Sequence, residues 1–156
     1  QPDIKLLVSD NRKSILENLK ERFALAGIRN YQRKLFDLTL SQDLFLHDYE
    51  FDGIIMDAPC SGSGTWGRTP EMIAQFADHK IKFFTELQRK IAKNVIKYLK
   101  PGKPFIYITC SVFKQENEEQ VSWLCKEFDL EVAQQELIKG YEAKADTMFV
   151  ARLIKN

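Results

Sequence analysis

Two cysteines sit in matching polar contexts in this 156-residue chain, Cys60 within Asp57-Ala58-Pro59-Cys60-Ser61 and Cys110 within Thr109-Cys110-Ser111. A thiolate is a strong nucleophile, and two thiols facing one small site can divide attack and release between them. A protease-type relay needs an imidazole beside the thiol, yet the two histidines, His47 and His79, flank neither cysteine in sequence. Chemistry that needs no histidine suits the pair better. A thiolate adding to carbon 6 of a pyrimidine makes carbon 5 nucleophilic enough to take a methyl group, and a second thiol or base can then help remove the carbon 5 proton. Cys125, in the amphipathic stretch Val121, Leu124, Cys125, Phe128, reads instead as a small core residue.

Hydrophobic runs explain how such groups reach one place. Short strands are expected at Ile4 to Ser9, Tyr31 to Phe36, Phe51 to Met56, Pro104 to Thr109, Leu130 to Ala133 and Thr147 to Ile154. Helical spacing marks Asn11 to Ala26, closed by Gly27, and a long region after Thr69-Pro70-Glu71, with a break near Asp78. In that region Leu87, Ile91, Val95 and Leu99 form an apolar stripe that Pro101-Gly102 ends, and Glu116 to Phe128 is a further helix. Alternating strands and helices predict one α/β domain over residues 1–156, with a mostly parallel sheet covered by helices on both faces. Ligands of such sheets sit outside the carboxyl ends of the strands. Asp10, Asp37, the Asp57 to Cys60 tetrapeptide and Cys110 each follow a strand, so they are expected on one rim. From its position alone Asp10 reads as an N-cap of the next helix or as an acceptor for ribose hydroxyls, and Asp37 as an ordinary strand-end acid.

Gly62-Ser63-Gly64-Thr65-Trp66-Gly67 matches a dinucleotide-binding pattern letter for letter. The helix signal starts beyond its last glycine, and the acid about 20 positions on, Glu86, lies in a helical stretch, so the match is set aside in favour of a loop wrapped close to substrate or cofactor. Trp66 and Arg68 of this loop suit stacking on, or hydrogen bonding to, a splayed nucleotide. Lys82, Arg89, Lys93, Lys97 and Lys100 recur at helical spacing, and this reads as a solvated face opposite the apolar stripe.

Composition narrows the remaining classes. With 44% hydrophobic and 29% charged residues the chain suits one globular domain, not a disordered or collagen-like one. A formal net charge of +1 gives no bulk argument for a polyanionic partner. Apolar runs are too short for a membrane span of roughly 20 residues. Three cysteines without Cys-x-x-Cys spacing argue against a disulfide framework and a zinc site; no metal is expected, and reduced thiols point to the cytoplasm.

FDGIIMDAPCSGSGTWGRTPE, ELQRKIAKNVIKYLKPGKPFIYITCSVFKQENEEQV and DTMFVARLIK resemble three consecutive blocks of the Sun/RsmB family of S-adenosylmethionine-dependent RNA cytosine-5 methyltransferases. The resemblance implies a Rossmann-like class I methyltransferase sheet, with ribosomal or transfer RNA as substrate and S-adenosylmethionine as methyl donor. It makes Cys110 the nucleophile on carbon 6 and Cys60 the cysteine that assists release. It also implies that Asp10 binds the cofactor ribose, Asp37 contacts its adenine side, and Asp57 lies between cofactor and target base. The chain departs from the family pattern in three places: Gly67-Arg68 replaces a basic pair, Lys103 a glycine, and Thr147-Met148 a Gly-aromatic pair. The family's first block, a PGGKT-like loop that cradles the methionine moiety, is not among these residues. The sequence therefore reads as a catalytic-domain portion truncated at the N-terminus, an expectation supported by its start at Gln1 rather than Met. Alone it is expected to be inactive and to expose sheet edges that allow self-association. The alternative is a noncatalytic RNA-binding or assembly module that retains the fold.

Overall fold

The computed structural model describes residues 4–156; Gln1 lies outside them. They group into two compact units, one reaching to Gln42 and the other spanning Asp43–Asn156.

The first unit is a strand, a helix and a strand: β1 (Leu6–Asp10), α1 (Lys13–Leu25) and β2 (Tyr31–Leu35). β1 and β2 pair in parallel from Leu6 opposite Tyr31 to Asp10 opposite Leu35. Gly27 stops α1 as its sequence suggests. At φ 69° it adopts the left-handed conformation, so that Gly27 N–H reaches the Ala24 carbonyl at 3.2 Å and Ile28 N–H reaches Phe23 at 2.9 Å. The cap residue is Arg12, which makes no side-chain capping bond, so Asp10 is not the N-cap. The Asp10 carboxylate, two residues before the cap, accepts the Arg12 N–H at 2.7 Å.

In the second unit, β3 (Ile54–Asp57), β4 (Pro104–Thr109), β5 (Leu130–Ile138) and β6 (Met148–Lys155) form one sheet in the order β3, β4, β6, β5. The helices are α2 (Asp43–Leu46), α3 (Glu71–Ala74), α4 (His79–Val95) and α5 (Glu118–Phe128). β3 runs parallel to β4, with Ile54 opposite Phe105 and Asp57 opposite Ile108. The sheet is mixed, because β6 runs antiparallel to both β4 and β5. β5 reaches β6 through a short turn around Gly140–Ala143 instead of the crossover helix that parallel neighbours need. β5 also runs five residues beyond the expected Ala133. Its Glu- and Gln-rich second half is a weak strand former, but ladder pairing with β6 holds it through Ile138.

Burial alternates along β4, where Phe105, Tyr107 and Thr109 are fully buried against Leu153, Ala151 and Phe149 of β6. Val121 and Leu124 of α5 are buried as well, and α4 buries Gln88, Ala92 and Val95. Of the stripe read in sequence, Val95 and Leu99 are buried while Leu87 and Ile91 are half-buried, since Gln88 and Ala92 take the inward places in the first half of the helix. The helical break foreseen near Asp78 separates α3 from α4. Among the described residues β1 pairs only with β2 and β3 only with β4, and no helix is long and apolar enough to cross a membrane.

Candidate active site

Parallel pairing of β3 and β4 sends both cysteine loops from the same sheet rim. Asp57 lies opposite Ile108, and Ala58 N–H extends the ladder to the Ile108 carbonyl at 2.8 Å. Cys60 follows three residues after Asp57, and Cys110 two after Ile108. Their sulfurs are 3.4 Å apart and half-buried, close enough for one thiol hydrogen to bridge them. That hydrogen bond from Cys60 lowers Cys110 from 9.0 to about 7, against opposing contributions from burial, Asp57 and Asp146. The same bond, aided by burial, pushes Cys60 up. When the pair carries one negative charge, the charge therefore favours Cys110 and the proton Cys60.

Behind the thiols lies a buried polar cluster. The Glu116 carboxylate accepts the Ser61 N–H at 2.7 Å and the Ser61 hydroxyl at 2.6 Å, and Ser111 donates to its other oxygen as well. Ser63 Oγ accepts Val112 N–H at 2.9 Å, and Asn117 donates to the Ser111 carbonyl at 2.8 Å. The sequence places Glu116 at a helix start; tertiary structure puts it in a 3-10 turn before α5, wholly out of solvent.

The glycine loop serves backbone packing. Gly64 N–H donates to the Cys110 carbonyl at 2.8 Å, and its own carbonyl accepts Thr147 N–H at 3.0 Å. A Cβ on Gly64 would lie 2.0 Å from the Thr147 carbonyl oxygen. Trp66 packs edge-on against Phe76 and Phe113, with centroids 5.0 and 5.9 Å away, and Arg68 pairs with Asp146 at 2.8 Å. Thr69, which resembles a helix cap in sequence, instead donates its hydroxyl back to the Thr65 carbonyl at 3.1 Å. A cavity of about 250 Å³ borders Cys60, Ser61, Trp66, Phe76 and Phe84.

Asp57 is exposed at the end of β3 and acts electrostatically on Cys110. Asp10 and Asp37 belong to the other unit, where the β1/β2 register puts both at one strand end. Each turns the chain after its strand: Asp10 receives Arg12 N–H, and Asp37 receives Thr39 N–H at 2.9 Å and its hydroxyl at 2.6 Å. The Asp10 carboxylate is also held by the Arg12 guanidinium, whose Nε lies 3.2 Å from it.

The basic stripe is largely paired. Lys93 meets Glu127 at 3.2 Å, Lys97 meets Asp43, Lys100 meets Asp52 at 3.0 Å, and the Arg89 guanidinium lies 5.0 Å from the Trp123 ring centroid. His47 bonds to the Asp43 carbonyl and Asp48. Among the described residues no group of three or more His, Cys, Asp or Glu could hold a metal ion.

A family model described as 16S rRNA methyltransferase RsmB/F matches residues 1–154. Ribosomal RNA small subunit methyltransferase B of Shewanella oneidensis is 33% identical over 122 residues, covering 78% of this chain and 28% of that protein. The tRNA (cytosine(72)-C(5))-methyltransferase NSUN6 of Mus musculus is 32% identical over 134 residues, covering 80% and 28%. The chain thus spans under a third of the length of these relatives. Among solved structures, PH0851 superposes with a TM-score of 0.87 at 26% identity, covering 97% of this chain and 37% of that one. NSun6 from Pyrococcus horikoshii with SFG superposes at 0.82 and 21% identity, covering 97% and 41%, a likeness of fold.

Proposed function

The chain belongs to the 16S rRNA methyltransferase RsmB/F family and has its Rossmann-like α/β fold, and from that premise we propose that the protein carrying it methylates carbon 5 of a cytosine in ribosomal or transfer RNA. The observation that carries this reading is the 3.4 Å approach of two thiols at the ends of neighbouring parallel strands. S-adenosylmethionine, when bound, supplies an electrophilic methyl group. By the family resemblance, Asp10 would accept its ribose hydroxyls, Asp37 would contact its adenine side, and Asp57 would lie between cofactor and target base.

Cys110, held as thiolate by the Cys60 hydrogen bond, forms a bond from sulfur to carbon 6 of the pyrimidine, which makes carbon 5 nucleophilic. Once Cys110 sulfur is a thioether, it no longer holds the anionic charge that keeps the Cys60 proton in place. Cys60 can then release that proton to solvent water and, as thiolate, take the one on methylated carbon 5, becoming a thiol again. The carbon–sulfur bond breaks with its electron pair returning to Cys110, and the aromatic base is restored.

Covalent trapping tests this in the full-length protein. Cys110→Ala abolishes transfer and forms no adduct, whereas Cys60→Ala accumulates a denaturant-stable RNA complex. An adduct that survives Cys110→Ala and is lost in Cys60→Ala reverses the roles.

A further inference from the structure

Each of the paired cysteines is followed by a serine, and both serines end on one carboxylate. Glu116 is 0% exposed. One of its oxygens accepts the Ser61 N–H at 2.7 Å; the other accepts the Ser61 hydroxyl at 2.6 Å and the Ser111 hydroxyl at 2.5 Å. Ser111 in turn accepts Phe113 N–H at 3.0 Å, and Tyr107 fixes the Glu116 carbonyl at 2.7 Å. One side chain thus grips the backbone immediately after both thiols. Burying a carboxylate is costly, and a tie made only for stability could use neutral groups. Two carboxylate oxygens accept all three donors at once; an amide in the same place would set its NH₂ against the Ser61 N–H or reverse the two hydroxyl bonds.

We propose that Glu116 is a positioning residue for the thiol pair: by holding Ser61 and Ser111 on one carboxylate it fixes the spacing and orientation in which the Cys60 thiol donates to Cys110. The inference rests on the proposed roles of the cysteines, but it concerns their geometry and can be read without methyl transfer. The charged groups facing Cys110 besides Cys60 are Asp57, Asp146 and Arg68, the last paired with Asp146. None of them is touched by the variants below.

The test follows iodoacetamide alkylation of Cys110 against pH in the full-length protein, resolved by peptide mass, with melting temperature measured alongside. In Glu116→Gln and in Ser61→Ala the alkylation midpoint moves from about 7 upward toward 9.0, while Leu124→Ala, a core truncation on α5, melts earlier with its midpoint unmoved. A midpoint unmoved in both serine and glutamate variants shows a purely structural tie and overturns the proposal. So does a fall in Glu116→Gln, which marks action through charge alone. Ser61→Ala, which leaves the carboxylate and Ser111 in place, decides the matter if Glu116→Gln does not fold. Cys60→Ala separates the two levels: an unmoved midpoint there sinks the thiol pair itself, whereas missing RNA adducts with shifted midpoints sink only the methyl-transfer reading.

Discussion

The sulfur of Cys60 lies 3.4 Å from the sulfur of Cys110, in hydrogen-bond reach, although 50 residues separate them in sequence. The contact makes the two thiols unequal. Cys110 is lowered to about 7 by the bond it receives, Cys60 is raised by the bond it gives, and Cys125 is raised by burial.

Labelling order follows from that inequality. A lowered thiol is ionised above its shifted value and a raised one stays protonated, so at pH 7 iodoacetamide modifies Cys110 first and Cys60 and Cys125 slowly. Below pH 6 the labelling of Cys110 slows as it is protonated, while its preference over the other two thiols is kept. Peptide mapping with Cys60 labelled first would place the charge on the wrong sulfur.

Asp10 should govern cofactor affinity more than chemistry. Hydrogen bonds to ribose hydroxyls are the same in ground and transition states, so Asp10→Asn in the full-length protein raises the cofactor KM about tenfold or more and leaves kcat nearly unchanged. A fall in kcat at unchanged KM would remove Asp10 from the cofactor site.

The isolated 156 residues should neither bind S-adenosylmethionine at micromolar concentrations nor methylate RNA. They contain no PGGKT-like loop, and within the described residues β1 and β3 each leave one edge unpaired, with Ile55 of β3 73% exposed. Unpaired edges invite strand addition from a second chain. Calorimetric titration and size-exclusion chromatography should therefore show no binding together with self-association, and a monomer that binds the cofactor refutes both.

Gly64→Ala should destabilise by about 3 kcal/mol. Its new Cβ would press within 2.0 Å of the Thr147 carbonyl oxygen and strain the backbone that bonds to Cys110. Gly67→Ala, with nothing within 4 Å of its added Cβ, should be near neutral in the same thermal melts.

Much of the local order is written in the sequence. β4 occupies the predicted Pro104 to Thr109, since its period of two and its flanking Pro101-Gly102 are local signals. Cys60 and Cys110 stood out for their polar flanks and strand-end places, and the stop at Gly27 needs only a residue free to take positive φ. The second half of β5 was illegible because its Gln and Glu residues carry no strand preference until β6 lies beside them. The basic face of α4 read as solvated and the loop residue Arg68 as available to a nucleotide, because their carboxylate partners Asp43, Asp52, Glu127 and Asp146 are remote in sequence.

Glu116 shows the division most clearly. The sequence by itself determined that a carboxylate follows the second cysteine by six positions, at the start of a helical pattern. Only tertiary structure decided that this carboxylate is buried and binds the serine after each cysteine, because β3 must first pair with β4 for the two loops to meet. Periodicity and turn chemistry are properties of neighbouring residues; the closing of two distant loops on one buried acceptor depends on strand register, which no local stretch encodes.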